Sequence, residues 1–194
     1  MSRLIIKSLL IVDYKNEKAN KFVFSDSANL IVSSTNGEGK SSLVKSIYYA
    51  LGANLKSFPK DWNVDNYIFQ LEVLIDGKKF WTKRHNKVIS ISDNGKVQLF
   101  ENFKEYSTWL QKKLGMNLEL VNKNSDKPSL ASVEALLSPM YIDQDKSWDG
   151  KLFKDSFESL GQYKSNDFPK NVFDYYLGIS NSQITDKEVK KMNI

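Results

Sequence analysis

Asn36-Gly37-Glu38-Gly39-Lys40-Ser41-Ser42 is the stretch whose residue types and spacing can do chemistry. A triphosphate needs several backbone N–H groups converging on it, and a loop with Gly37 and Gly39 can curl tightly enough to supply them. Lys40 is placed to reach the β- and γ-phosphates, and the Ser41 hydroxyl to complete a Mg²⁺ shell. The strict phosphate-loop pattern has a further glycine five residues before Gly39, where this chain has Ser34. Serine fits there in a β-like backbone but does not take positive φ as cheaply as glycine. The plainer alternative is a turn and cap before a surface helix. It accounts for the glycines but not for the Lys40-Ser41 pair.

Such a loop works only between a strand and a helix. The largely apolar residues 28–32 precede it and predict a buried strand over 30–33. After it, Leu43, Val44, Ile47, Tyr48 and Leu51 recur at helical spacing over 40–51, with Gly52 as the stop. The helix N-terminus adds unsatisfied N–H groups and the positive end of its dipole.

The flanking regions read as strands. Residues 4–12 and 21–24 predict neighbouring strands around a turn at 13–20. Phe69, Leu71, Val73 and Ile75 alternate with other residues up to a hairpin signal at Asp76-Gly77. Residues 79–83 return, and 88–92 and 97–100 flank the turn Asp93-Asn94-Gly95. These meandering strands predict an antiparallel sheet beside the loop, which a compact βαβ kinase would lack. Phe103, Tyr106, Trp109, Leu110 and Leu114 mark a helix ending at Gly115, its aromatics read as core. Residues 122–129 read as a loop and 132–137 as a short helix. Pro169, Phe173, Tyr176, Leu177 and Gly178 outline another capped helix.

With 194 residues, 41% hydrophobic and 12% aromatic, the chain can bury a real core, and one domain is expected. No cysteine is present, which excludes disulfides and thiolate metal sites and fits a reducing compartment. The single histidine, His85, rules out a histidine-cluster metal site and is read as exposed surface. The first ten residues read as a strand and not a signal peptide, and no segment is apolar enough to cross a membrane, so a cytoplasmic location is expected. The net charge of +5 and a pI near 9.1 suit a phosphate-rich partner without specifying one.

A phosphate loop does not hydrolyse ATP by itself. No stretch of four apolar residues closes on Asp-Glu to form a Walker B segment, and Ile142-Asp143 is too short a match. The better second clue is Gln144, between Met140-Tyr141-Ile142-Asp143 and Asp145-Lys146-Ser147-Trp148. This arrangement resembles the N-terminal half of the ATPase head of the SMC and SbcC families, which belong with the ABC-type ATPases. The resemblance rests on the first strands, the Asn36 to Ser42 loop with Leu43, Ala50-Leu51-Gly52 at the helix end, and Gln144 as the Q-loop residue. Asp143-Gln144-Asp145-Lys146 with Trp148 also looks like SMC-like ATPases of bacterial defence against phage and plasmids.

The resemblance implies an α/β fold: a P-loop NTPase, ABC-type head lobe with a mixed β-sheet and an additional antiparallel sheet. It implies that residues 1–178 form the lobe and that 182–194 begin a coiled-coil arm. In that family the Walker B and signature segments lie on a C-terminal lobe, which explains their absence here. The cofactors implied are ATP and Mg²⁺, held by Asn36, Gly37, Glu38, Gly39, Lys40, Ser41 and Ser42. Ser41 and Gln144 would reach the metal, and Lys40 and Gln144 would take part in catalysis. The implied partners are the chain's own C-terminal lobe, a second head across the ATP, DNA and subunits of a defence complex.

DNA contacts in such heads read only the backbone. Lys56, Lys60, Lys83 and Arg84 are the leading candidates, with Lys78 and Lys79 beside them, although a charge run at a hairpin is more often a solvated face. Other functions stay open at this point: an ABC-like head gating a nuclease or other effector, a self-contained small kinase or GTPase, and a noncatalytic nucleotide-binding module. A GTPase would need an Asn-Lys-x-Asp string, and Asn122-Lys123-Asn124 falls short of it.

Overall fold

The computed structural model describes residues 2–35, 37–58, 62–125, 127–142, 156–164 and 168–179. Alternation in the sequence becomes a six-stranded sheet of order β2-β1-β3-β4-β5-β6. Its strands are β1 (Leu4–Asp13), β2 (Lys18–Val23), β3 (Tyr67–Ile75), β4 (Lys78–His85), β5 (Val88–Asp93) and β6 (Lys96–Phe100). Every pairing in this sheet is antiparallel. The hairpin and meander signals are borne out, with β2 starting earlier than its apolar residues suggested.

The period of two decides which side chains form the core. Phe69, Leu71, Val73 and Ile75 on β3 are buried, and so are Phe80, Thr82 and Arg84 on β4. Against this face lie α1 (Lys40–Ala50), which packs on β3 and β4, and α2 (Phe103–Lys113), which packs on β6 and α3 (Val133–Leu137). The fully buried side of α1 is Ser42, Ser46, Tyr49 and Ala50. The apolar stripe of Leu43, Val44, Ile47 and Tyr48 is only half-buried. Small residues at 42, 46 and 50 let the helix approach the sheet, and the Ser46 hydroxyl is satisfied by the Ser42 carbonyl at 2.8 Å.

Two sequence expectations are corrected. Residues 30–33 do not form a buried strand: Leu30 is 88% and Val32 73% exposed, and this extended run belongs to neither described sheet. The reason is topological. β1 already has β2 on one side and β3 on the other, so residues 30–33 cannot pair with β1 in that sheet. The loop expected at 122–129 is shorter, because β7 (Glu119–Val121) and β8 (Pro128–Leu130) pair as a second, two-stranded sheet. The remaining helix, α4 (Phe168–Tyr176), follows the expectation from Pro169 and Gly178, while residues 182–194 lie outside the described residues.

Gly52, the stop of α1, fixes how the helix meets α2. Its φ is +99°, and a Cβ there would sit 2.3 Å from Tyr106 Cε1 and 3.2 Å from Ile89 Cδ1. Tyr106 cannot step aside, because it is fully buried and its hydroxyl donates to the Leu51 carbonyl at 3.0 Å. Gly52→Ala therefore combines backbone strain with overpacking, and a loss of about 3 kcal/mol is expected, read as a lowered thermal midpoint. A variant that melts with the wild type would contradict this packing.

Candidate functional site

Local backbone conformation builds the loop. Gly37 has φ +91° and Gly39 φ +87°, and no atom lies within 4 Å of where their side chains would start. The glycines are thus needed here for conformation and not for space. Gly39 is the N-cap of α1 with a left-handed backbone, no side chain caps the helix, and its first turn holds no acidic residue. In this turn the Leu43 N–H donates to the Gly39 carbonyl at 2.9 Å. The N-terminal N–H groups of a helix and the positive end of its dipole make an anion their natural complement.

Lys40 occupies the first helical position. Its ammonium donates to the Ser33 hydroxyl and, at 3.2 Å, to the Thr35 carbonyl. Glu38 accepts from the Ser34 hydroxyl at 3.1 Å and the Thr35 hydroxyl at 2.7 Å. These hydroxyls, Thr35 foremost, hold the Glu38 carboxyl below its usual range, and the nearby Lys40 charge acts in the same direction. Ser41 is exposed beside Lys40, while Ser42 is 8% exposed and faces inward. The structure thus brings Gly37, Glu38, Gly39, Lys40, Ser41 and Ser42 together. Asn36 lies outside the described residues.

Gln144 also lies outside them, but both flanks of its segment rest on α1 and the residues after it. The Tyr48 hydroxyl donates to the Met140 carbonyl, and the Tyr48 ring lies 4.8 Å from that of Tyr141 and 5.9 Å from that of Phe157. Leu55 bridges Phe157, and the Lys56 N–H donates to the Ser156 carbonyl at 3.3 Å. Burial pushes the Tyr48 hydroxyl up to about 12, so it stays a neutral donor at physiological pH.

Of the DNA candidates, Lys56 and Lys83 are exposed and Lys60 lies outside the described residues. Lys78 and Lys79 are exposed as well, and Lys79 pairs with Glu72 at 2.6 Å. Arg84 is a correction. It is 2% exposed and cannot reach a phosphate backbone. Its guanidinium donates to the Tyr49 carbonyl at 3.0 Å, the Ala53 carbonyl at 3.1 Å, the Asn86 carbonyl at 3.0 Å and the Asn54 side chain. It stacks 3.6 Å from the Tyr49 ring centroid and 4.9 Å from that of Phe103. Asn54 passes the connection to Glu134, donating through its backbone N–H at 3.0 Å and its side chain at 3.1 Å. Burial pulls the Arg84 pKa down, and Tyr49 and Glu134 push it back up. The signal was available: Arg84 shares the inward register with Phe80 and Thr82.

An antiparallel sheet thus lies beside a helix that starts behind two left-handed glycines, the local geometry of a phosphate loop. The chain is homologous to the Lamassu protein LmuB, being 39% identical over 183 residues to that of a Bacillus species (strain NIO-1130) and 36% identical over 181 residues to that of Bacillus cereus (strain VD014). These matches cover 94% and 92% of the chain but 32% and 31% of the relatives, so the chain spans about a third of their length. No protein-family model matches the chain. No helix among the described residues is long and apolar enough to cross a membrane.

Proposed function

We propose that the chain is the ATP-binding N-terminal lobe of an SMC-like ATPase that acts in anti-phage or anti-plasmid defence. ATP and Mg²⁺ bind at the loop, with Lys40 on the β- and γ-phosphates, Ser41 on the metal and Gln144 completing the metal shell. Binding drives two heads together. A C-terminal lobe and the partner head complete hydrolysis, and the cycle is coupled to DNA, with Lys56, Lys60 and Lys83 as backbone contacts.

The observation that carries the nucleotide reading is Lys40 at the first position of an uncapped helix behind two left-handed glycines. The exposed apolar run at Leu30 and Val32 supports a second lobe, because an extended segment with apolar side chains is the kind a neighbouring strand covers. Relatives three times as long leave room for that lobe and for an arm. Residues 182–194 are proposed as the root of the arm. The defence role follows the Lamassu name of the relatives and the likeness at residues 143–148.

The test is mass in solution and ATP turnover, measured for the full protein and for the 194-residue chain. The full protein is expected to double its mass with MgATP and to turn it over faster with DNA. The chain alone is expected to turn ATP over poorly. Full-rate turnover by the chain alone as a monomer would instead favour a self-contained P-loop enzyme.

A further inference from the structure

Ser34 stands where the strict loop pattern has glycine, and Glu38 stands between the two glycines that remain. In the fold these two residues meet. One carboxylate oxygen of Glu38 accepts from both Ser34 and Thr35, closing the loop across Gly37. Thr35 serves both charges of the loop, its hydroxyl holding Glu38 and its carbonyl holding Lys40. A loop that must present N–H groups to a strongly anionic ligand thus contains a carboxylate of its own. That carboxylate repels the ligand and competes for Lys40 unless its position is fixed.

We propose that Glu38, anchored by Ser34 and Thr35, is a positioning residue that holds the phosphate loop in its receiving shape and keeps Lys40 available to the nucleotide. Ser34 then achieves by hydrogen bonding what glycine achieves at this place by conformational freedom. The inference rests on the nucleotide-binding reading of the loop and adds to it a determinant of affinity besides Lys40 and Ser41. Carboxylate acceptors make the stronger class of hydrogen bond, and a clasp with two donors fixes direction as well as distance. With Ser34 replaced by glycine, Thr35 alone holds the carboxylate, and the loop regains freedom that binding must then remove.

The test is a double-mutant cycle in the full protein, reading the Kd of a fluorescent ATP analogue with Mg²⁺. Ser34→Gly is expected to weaken binding about three- to tenfold when Glu38 is present and to change nothing further when Glu38 is already alanine. Equal effects in both backgrounds, or tighter binding by Ser34→Gly, would overturn the clasp. Glu38→Gln keeps an oxygen for both hydroxyls, so it is expected to bind at least as tightly as the wild type while Glu38→Ala binds more weakly. Equal losses in the two variants would also overturn it. Ser34 and Glu38 are exposed, so all variants are expected to melt together. Failure of the nucleotide reading has a different signature: no saturable binding by the wild type, with Lys40→Ala indistinguishable from it.

Discussion

Arg84→Met is expected to destabilise the fold by about 3 kcal/mol, lowering the thermal midpoint by roughly 6–12 °C. Methionine nearly fills the volume, so the loss is polar and not a cavity. Four acceptors lose a donor at once: the carbonyls of Tyr49, Ala53 and Asn86 and the side chain of Asn54. The Tyr49 carbonyl keeps the Gly52 N–H at 2.9 Å, and the Asn86 carbonyl keeps the Tyr49 hydroxyl at 3.5 Å. Glu134, 4% exposed, would keep its Asn54 bonds but lose the nearest buried cation. Uncompensated buried acceptors cost more than the net worth of the bonds that satisfied them. Arg84→Lys is expected to recover little, because a single ammonium cannot serve these directions or stack on Tyr49 and Phe103. The loss should be local first, so hydrogen exchange is expected to quicken at the amides of residues 49–54 while the β5–β6 hairpin stays protected. Wild-type stability in Arg84→Met would show that the guanidinium only fills space there. Replacing Arg84, Asn54 and Glu134 together by apolar residues is expected to regain part of the loss, since the penalty belongs to a network left half complete.

The contrast between Arg84 and Lys83 shows what a sequence can and cannot say. Adjacent basic residues look alike as a charge run, but the strand period sends one inward and the other outward. The register was legible from Phe69, Leu71, Val73 and Ile75, and applying it to β4 would have separated the two. Its acceptors were not legible, because Tyr49, Ala53, Asn54 and Glu134 are brought together only by packing. The backbone of the loop was readable because it is local: two glycines at positive φ and the start of α1 lie within one turn of chain. The strand expected at residues 30–33 failed for the opposite reason. Its apolar residues report a need for cover, and cover depends on which neighbouring strand is present. The short β7–β8 pair escaped notice because strands of this length carry too few residues for a period to appear.

Lys40→Ala is expected to separate the nucleotide reading from that of an ordinary helix start, and the two observables move in different directions. Without nucleotide, Lys40 places a positive charge at the positive end of α1, where it is unfavourable. Its bonds to the Ser33 hydroxyl and the Thr35 carbonyl are made at an exposed loop and offset this only in part. The apo variant is therefore expected to melt at the wild-type midpoint or slightly above it. With MgATP the order reverses. In the wild type the ammonium leaves two neutral acceptors for charged phosphate oxygens, which are the stronger partners. Removing it is expected to cost about 1.5–3 kcal/mol of binding, a rise in Kd of about 10- to 100-fold, with turnover by the full protein abolished. The melting shift caused by nucleotide scales with occupancy, so at a concentration near the wild-type Kd it should disappear in the variant. Lys40→Arg should fare little better, because its planar fork does not reproduce a compact point charge. If Lys40 merely began a surface helix, the apo midpoint would still hold or rise, but nucleotide would act on wild type and variant alike. With both results in hand, a charge that the apo fold is better without and that nucleotide binding cannot spare would be there for the ligand.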